Sequence, residues 1–186
     1  GFISKLNRDG SINQLKWIEG LNAPKGMGIF EGLLYVTDID KIVIIDIASG
    51  KINMELSVAN SGFLNDIAVG KDGTIYFSDS QTSTFFKLSK GVYTPFVIDE
   101  SFKSPNGIII ENDSILAGIG NSVIQINSLT GSWKKFIDNT GGVDGLAKIN
   151  EGDYIISDWQ GNINMIYNNK NKELLLDTTA TQGKNA

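Results

Sequence analysis

The sequence predicts an all-β protein, a β-propeller built from four-stranded antiparallel blades. Three observations lead to this prediction: a repeat of about 40 residues, short segments rich in β-branched and aromatic residues inside each repeat, and glycine-containing turns between those segments. A unit of that length folded as four short strands is typical of a propeller blade. A helical repeat would need apolar residues spaced by three and four over a dozen positions, and no segment has that spacing.

The repeat is clearest at the predicted first strand of each unit. Four segments align, at 24–29, 64–69, 105–110 and 143–148. Their second residues are 40, 41 and 38 positions apart, and these residues are Lys25, Asn65, Asn106 and Asp144. Small residues let backbones approach one another near the axis of a propeller, so we expect this glycine-containing strand to be the innermost of each blade.

Further columns with the same period predict the remaining strands. The second-strand column covers 34–38, 75–79 and 154–158, and the third-strand column covers 43–45, 85–88, 123–126 and 163–166. Hairpin signals separate the columns, for example Asp72-Gly73 and Lys90-Gly91. The second column ends in aspartate in three repeats, and we expect each carboxylate to cap the turn that follows it; these residues are Asp38, Asp79 and Asp158. Ile119 takes this place in the third repeat.

The whole chain, 1–186, is predicted to be a single partial propeller of about four and a half blades. Residues 1–19 match the last two strands of a blade, full repeats occupy 20–58, 59–98, 99–139 and 140–177, and 178–186 lead toward a further blade. Open strand edges promote association. We therefore expect the chain to be part of a larger, six-bladed ring, or to self-associate through its open blade edges if it is complete.

Composition excludes several classes of function. The chain of 186 residues has a net charge of −5 and contains no Cys and no His, which removes thiol nucleophiles, Cys/His zinc sites and imidazole acid–base pairs. The acidic balance without a Lys/Arg cluster argues against nucleic acid as a partner. No apolar run reaches the roughly 18 residues of a membrane span, and the N-terminus does not resemble a signal peptide. The compartment stays open between cytoplasm, periplasm and secretion.

One column of polar residues indicates a site. Equivalent positions on successive inner strands surround one opening of the central channel, so four side chains are expected to converge there: Lys25, Asn65, Asn106 and Asp144. The amide and carboxylate oxygens of the last three suit a hard cation, with Ca²⁺ expected and Mg²⁺, Mn²⁺ or Zn²⁺ as alternatives. The competing interpretation is turn chemistry, because Asn and Asp also bond local backbone before strands.

Two further residues have open interpretations. An ammonium group beside a divalent ion weakens its binding, so Lys25 points elsewhere, holds an anionic substrate, or indicates that no metal is bound. Trp159 follows a second strand and either lines the mouth of the channel, in contact with substrate, or packs between blades.

Short motifs in the chain resemble the senescence-marker-protein/gluconolactonase-like propellers. The residues that carry the resemblance are Leu64-Asn65-Asp66, Pro105-Asn106-Gly107, Val143-Asp144-Gly145-Leu146-Ala147 and Ile156-Ser157-Asp158-Trp159-Gln160-Gly161. The resemblance implies a six-bladed ring with a divalent cation in its channel and hydrolysis of lactones or related esters. It implies that Asn106 and Asp144 are metal ligands, Asn65 a third ligand or a substrate contact, and Asp144 the catalytic base. The family's further ligand, a Glu on an early blade, has no counterpart here.

The sequence therefore supports three hypotheses of function. The first is a metal-dependent hydrolase of the gluconolactonase-like type, acting on a small-molecule lactone or ester. The second is a non-enzymatic scaffold, similar to NHL-type propellers, whose ring face binds a protein or a small ligand. The third is a lyase or synthase on a strictosidine-synthase-like propeller, for which the sequence offers no dedicated acid.

Overall fold

The computed structural model describes residues 1–178, and this part of the chain folds entirely into β-strands and their connections. The strands are β1 Phe2–Leu6, β2 Ile12–Glu19, β3 Met27–Phe30, β4 Leu33–Thr37, β5 Lys41–Asp46, β6 Lys51–Ser57, β7 Leu64–Val69, β8 Ile75–Asp79, β9 Thr84–Ser89, β10 Val92–Ile98, β11 Ile108–Glu111, β12 Ser114–Ile119, β13 Ser122–Asn127, β14 Trp133–Asp138, β15 Val143–Asn150, β16 Asp153–Asp158, β17 Asn162–Ile166 and β18 Lys172–Asp177. Within residues 1–178 no helix is long and apolar enough to cross a membrane.

Consecutive strands pair as antiparallel meanders. β1 and β2 form a two-stranded half blade, and the other strands form blade 1 (β3–β6), blade 2 (β7–β10), blade 3 (β11–β14) and blade 4 (β15–β18). The predicted all-β propeller with four and a half blades is thereby confirmed. Each four-stranded sheet lies within one predicted repeat, and the six-bladed ring stays a prediction. The predicted start of a further blade falls on 178–186, of which all but the first residue lie outside the described part.

Tight hairpins connect the first two strands of the blades. In blade 2 the Asp72 carboxylate accepts a hydrogen bond from the backbone N–H of Thr74, over 3.0 Å. Gly73, between them, has a φ of 79°, in the left-handed region that residues with a side chain rarely adopt. This turn chemistry explains why a short Asp-Gly pair reverses the chain at that point.

The core lies between neighbouring blades rather than inside any one sheet. Blades 1 and 2 meet at an apolar cluster that includes Ile42, Ile75 and Phe77. The rings of Phe77 and Phe86 stack there, with centroids 5.2 Å apart. Similar clusters join the half blade to blade 1, blade 2 to blade 3, and blade 3 to blade 4. Because every blade is held by its neighbours, the relative positions of the inner strands are fixed by this packing.

The second-column aspartates tie loops to strands, although not all in the expected way. Asp79 and Asp158 accept N–H bonds from the turns that follow them, from Gln81 and from Asn162 respectively, each over 2.9 Å. Asp38 was expected to do the same, and this expectation is wrong. Its carboxylate instead accepts from the backbone of Asn22 and Ala23, in the loop that leads into β3. All three carboxylates are buried and act as structural acceptors.

The inner strand of blade 1 exposes apolar side chains. Met27 and Ile29 pair with Val36 and Leu34 of β4 and share one face of the sheet with them. Val36 and Leu34 are buried against the half blade, whereas Met27 and Ile29 are 53% and 65% exposed. The two strands of the half blade thus cover only the outer part of this face.

Candidate functional site

A cavity of about 710 Å³ opens where the four inner strands begin. Its wall includes side chains and backbone from all four blades, and the residues are Pro24, Lys25, Gly26, Phe63, Asn65, Asp66, Ser80, Ser104, Asn106, Gly120, Gly142, Val143, Asp144, Gly145 and Trp159. Every residue that the sequence singled out for the site lies in this wall. The structure therefore brings the predicted column together at one end of the channel; the roles predicted for its members stay predictions.

Close approach of the inner strands makes this convergence possible. The backbone N–H of Gly26 in blade 1 donates to the carbonyl oxygen of Asn65 in blade 2, over 3.0 Å. Gly107 faces blade 4 so closely that a Cβ atom added to it would lie 2.8 Å from the carbonyl oxygen of Asp144. A side chain at that position would push the inner strands apart. The glycines of the repeat thus allow the inner strands to lie close together, and so bring the side chains of the polar column near one another.

Asp144 and Asn106 contact each other directly across the boundary between blades 3 and 4. The Asn106 Nδ2 atom donates a hydrogen bond to Asp144 Oδ1, over 2.9 Å. Asp144 is exposed to the cavity, so its second carboxylate oxygen is open to solvent or a ligand. The bond orients the carboxylate, because one of its two oxygens is fixed by the amide.

Asn65 is hydrogen-bonded to Ser80 of its own blade, and Ser80 is in turn bonded to the next blade. Its Nδ2 atom donates to Ser80 Oγ over 3.0 Å, and Ser80 Oγ donates to the backbone carbonyl oxygen of Pro105 over 2.6 Å. With its amide nitrogen engaged in this way, Asn65 has its carbonyl oxygen left to meet a ligand. Blade 2 and blade 3 are thereby connected next to the side chains of Asn65 and Asn106.

Lys25 contributes a positive charge at the rim. It is exposed, and its Nζ atom lies 5.2 Å from the centre of the Phe63 ring, a cation–π contact. None of the ion pairs formed within residues 1–178 includes Lys25. The ammonium group is therefore free of a carboxylate partner in the described part of the chain and can meet an anionic group entering the cavity.

Trp159 belongs to the cavity and not to the packing between blades. Its residue is 78% exposed, and its backbone N–H donates to the carbonyl oxygen of Gly142 over 2.9 Å. Of the two sequence interpretations, packing between blades is wrong and the position at the channel mouth agrees with the structure. An exposed indole beside a polar cavity offers a flat apolar surface to a ligand.

Asp66 is a member of the site that sequence reasoning missed. It lines the same cavity and accepts backbone N–H bonds from Ile67 and from Ile108 of the next blade, each over 2.8 Å. Burial raises the pKa of the Asp66 carboxyl; these two bonds act against the shift, and the charge of Asp144 adds to it. The repeat did contain a signal, because the equivalent residues in the other three blades are all glycine.

The oxygen donors of the site suit a hard cation, but together they carry little negative charge. Asn65, Asn106 and Asp144 line one cavity and offer two amide oxygens and one carboxylate, and oxygen donors of this kind are those that Ca²⁺ prefers. Within residues 1–178 there is no group of three or more acidic side chains that could hold a metal ion. The residues present therefore fit a weakly held cation better than a tightly bound one, since affinity rises with the number of charged ligands.

Known structures resemble this chain over almost its whole length. No protein-family model and no curated protein matches the sequence. The structure of streptogramin B lyase superimposes with a TM-score of 0.75 and 17% identity, covering 95% of this chain and 63% of that one. A chain of the nidogen/laminin complex gives a TM-score of 0.77 and 15% identity, covering 94% of this chain and 73% of the other.

A third similar structure, the WD40 repeats of RRP9, gives a TM-score of 0.71 at 10% identity, with 85% of this chain and 52% of that chain covered. These structures include both an enzyme and proteins of other kinds. At such low identity they establish the propeller fold of this chain and nothing about its activity. The chain spans less than two thirds of the length of streptogramin B lyase.

Proposed function

We propose that the protein is a divalent-cation-dependent hydrolase that acts on a lactone or ester, in the manner of the gluconolactonase-like propellers. The observation that carries the proposal is the meeting of Asn65, Asn106 and Asp144, from three consecutive blades, in one cavity. Turn chemistry alone would leave such side chains bonded to their own loops. Here Asn106 reaches across to Asp144, and both remain at the cavity wall.

Asn65, Asn106 and Asp144 would hold the cation through their side-chain oxygens. Ca²⁺ is the expected ion, because all three donors are oxygens and the site lacks the imidazole and thiolate ligands that softer metals favour. When bound, such an ion polarises the carbonyl group of the substrate. With one carboxylate among the ligands, we expect a dissociation constant of about 0.1–1 mM.

Asp144 is the candidate general base. Its Oδ1 atom accepts the amide of Asn106 and would bind the cation through its remaining lone pair, so its other oxygen is the one that can take a proton from an attacking water molecule. The chain has no histidine that could perform this step. Asn106 thus has two roles in the proposal, as a ligand and as the group that orients the base.

The rim residues supply substrate contacts. Lys25 attracts the oxygen atoms of a polar or anionic substrate, and the exposed Trp159 ring packs against its body. Asn65 lies in the same wall and can donate or accept a hydrogen bond if it does not bind the ion. A small molecule with oxygen substituents on one side and an apolar face on the other suits this surface.

Calorimetric titration with CaCl₂ tests the cation site. We expect the wild-type protein to take up one Ca²⁺ ion, and Asn106→Ala to lose that uptake. Asn53→Ala, a substitution of an exposed residue on the outer strand β6, is the matched control and should bind as the wild type does. Uptake by Asn106→Ala equal to that of the control would refute the proposed ligand set.

A hydrolysis assay tests the catalytic base. Asp144→Asn keeps the size of the side chain and removes its negative charge, so we expect turnover of a lactone or an aryl ester to fall by a factor of about 100 or more. Asp113→Asn, an exposed residue in the turn between β11 and β12, is the control. Undiminished turnover by Asp144→Asn in the presence of Ca²⁺ would rule out Asp144 as the base.

A binding scaffold is the second candidate function. Two observations favour it: the uncompensated charge of Lys25 at the rim, and the absence of a third acidic residue from the site within residues 1–178. On this reading the cavity binds a protein or small ligand without reaction. Failure of the wild-type protein to bind Ca²⁺ or to turn over any ester would favour the scaffold.

A lyase, the activity named for one structural neighbour, would release products without adding water.

A further inference from the structure

One position of the inner strands differs between the blades. The residue that follows each member of the polar column is Gly26 in blade 1, Gly107 in blade 3 and Gly145 in blade 4, but Asp66 in blade 2. The strands approach so closely here that a Cβ atom added to Gly26 would lie 2.7 Å from the Cα atom of Asp66. A carboxylate at such a crowded position must be compensated by its surroundings, because burying a charge is unfavourable unless the charge is well hydrogen-bonded.

Both oxygens of the Asp66 carboxylate are engaged. Oδ1 accepts the N–H of Ile67 in its own strand, and Oδ2 accepts the N–H of Ile108 in β11 of blade 3, each over 2.8 Å. The backbone N–H of Asp66 itself donates to Ser78 Oγ over 3.0 Å, and Ser78 is fully buried. The side chain is thus anchored in blade 2 and bonded to the first residue of the inner strand of blade 3.

We propose that Asp66 is a positioning residue, which clasps the inner strand of blade 3 to that of blade 2 and so sets the separation of Asn65 and Asn106. Its consequence for cation binding rests on the proposed function above. Asn65 directly precedes Asp66, and Asn106 lies two residues before Ile108. The bond between Asp66 and Ile108 therefore joins the two short segments that carry the candidate ligands.

A second link acts on the same pair of segments. Ser80 Oγ donates to the carbonyl oxygen of Pro105, directly before Asn106, and accepts the amide of Asn65. The Asp66 and Ser80 links thus lie on either side of Asn106 along the chain. Two fixed points on this short segment restrict both its distance from blade 2 and its rotation. Supporting bonds of this kind commonly alter metal affinity by about 10–100-fold when they are removed.

The test compares Asp66→Gly with Tyr76→Phe. Glycine is the residue that the other three blades use at this position, so the fold accommodates it. Tyr76→Phe removes a different bond between blades 2 and 3, from the Tyr76 hydroxyl to the carbonyl oxygen of Ser128, away from the cavity. Amide hydrogen exchange of Ile108, the NMR resonances of the Asn65 and Asn106 side-chain amides, and Ca²⁺ affinity are measured in both variants.

We expect Asp66→Gly to speed exchange of the Ile108 amide by a factor of about 10 or more, to shift the resonances of both asparagine side chains, and to weaken Ca²⁺ binding by about 10–100-fold. Asp66→Asn, which keeps one acceptor oxygen, should fall between it and the wild type. Tyr76→Phe should change the free energy of unfolding without changing these three quantities.

Unchanged exchange of Ile108 and unchanged asparagine resonances in Asp66→Gly would overturn the proposal. So would equal losses of Ca²⁺ affinity in Asp66→Gly and Tyr76→Phe, because this result would indicate a general loss of stability. If the wild-type protein binds no Ca²⁺, the proposed function fails. The exchange and resonance measurements would still decide whether Asp66 positions the two asparagines.

Discussion

Replacing Asp79 with alanine removes the acceptor of four backbone N–H groups. Asp79 is fully buried at the end of β8. Its Oδ2 atom accepts from Gly62 over 2.7 Å, and its Oδ1 atom accepts from Phe63, Gln81 and Thr82 over 3.0, 2.9 and 3.1 Å. One carboxylate thus ties the loop that enters β7 to the turn that leaves β8. Phe63, in that loop, is part of the cavity wall.

The magnitude follows from the number and kind of these bonds. A hydrogen bond to a charged group contributes about 1.5–3 kcal/mol to the free energy of unfolding, and four bonds share the charge of one carboxylate. Water can replace the acceptor at the exposed Gln81 but less readily at Gly62 and Phe63. We therefore expect Asp79→Ala to lose about 3–5 kcal/mol, less than the four bonds would give separately. In a domain of this size that loss lowers Tm by about 10–15 °C.

Urea unfolding followed by circular dichroism measures this loss. The midpoint should fall while the dependence of the free energy on urea is unchanged. Asp72→Ala is the matched control, because among residues 1–178 the exposed Asp72 side chain accepts hydrogen bonds only from Thr74 of its own turn, and we expect it to lose about 1 kcal/mol. Equal losses in the two variants would refute the view that burial and bridging give the second-column aspartates their structural role.

Three further predictions concern other parts of the molecule. Trp159→Ala should raise the KM for an ester about tenfold and leave Tm unchanged, because the indole is exposed at the cavity; an unchanged KM would exclude substrate contact. Gly26→Ala should lower the free energy of unfolding by about 1–3 kcal/mol, since its Cβ would lie 2.6 Å from the Ile67 nitrogen; a wild-type urea midpoint would contradict this. Burial, with the hydrogen bond to Glu111, raises the pKa of Tyr154 to about 12, so Tyr154→Phe should remove from the absorbance titration a phenol that ionises near that pH. Because the unfolded chain ionises this phenol first, stability should fall as pH rises from about 10 to about 12.

The fold could be predicted because each repeat contains local signals, namely turn residues and strand-forming residues. Turn pairs such as Asp72-Gly73 reverse the chain whatever surrounds them, and alternating β-branched residues form strands that need neighbours on both faces. The third repeat keeps its second strand although Ile119 replaces the aspartate of the column. Strand formation there depends on pairing and packing rather than on that carboxylate. Which loop a buried aspartate ties could not be predicted, and Asp38 bonds the loop before β3 instead of its own turn.

The candidate site was predictable to the extent that it follows from the repeat register. Equivalent positions on inner strands meet at one end of the channel, so Asn65, Asn106 and Asp144 could be grouped from the sequence alone. The orientation of Trp159 could not be inferred, because an aromatic residue after a strand can turn toward a neighbour or toward the channel. Asp66 was missed because its partner, the N–H of Ile108, is 42 residues away and belongs to the backbone.

The proposed function requires that oxygen atoms from three blades hold one cation in the cavity that Trp159 also lines. Terbium luminescence tests it most directly, because Tb³⁺ occupies Ca²⁺ sites and emits when a nearby tryptophan is excited. We expect the wild-type protein to give sensitised emission that excess Ca²⁺ abolishes, Asn53→Ala to do the same, and Asn106→Ala to give none. Emission from Asn106→Ala as strong as that of the wild type, or no emission from the wild type, would contradict the claim.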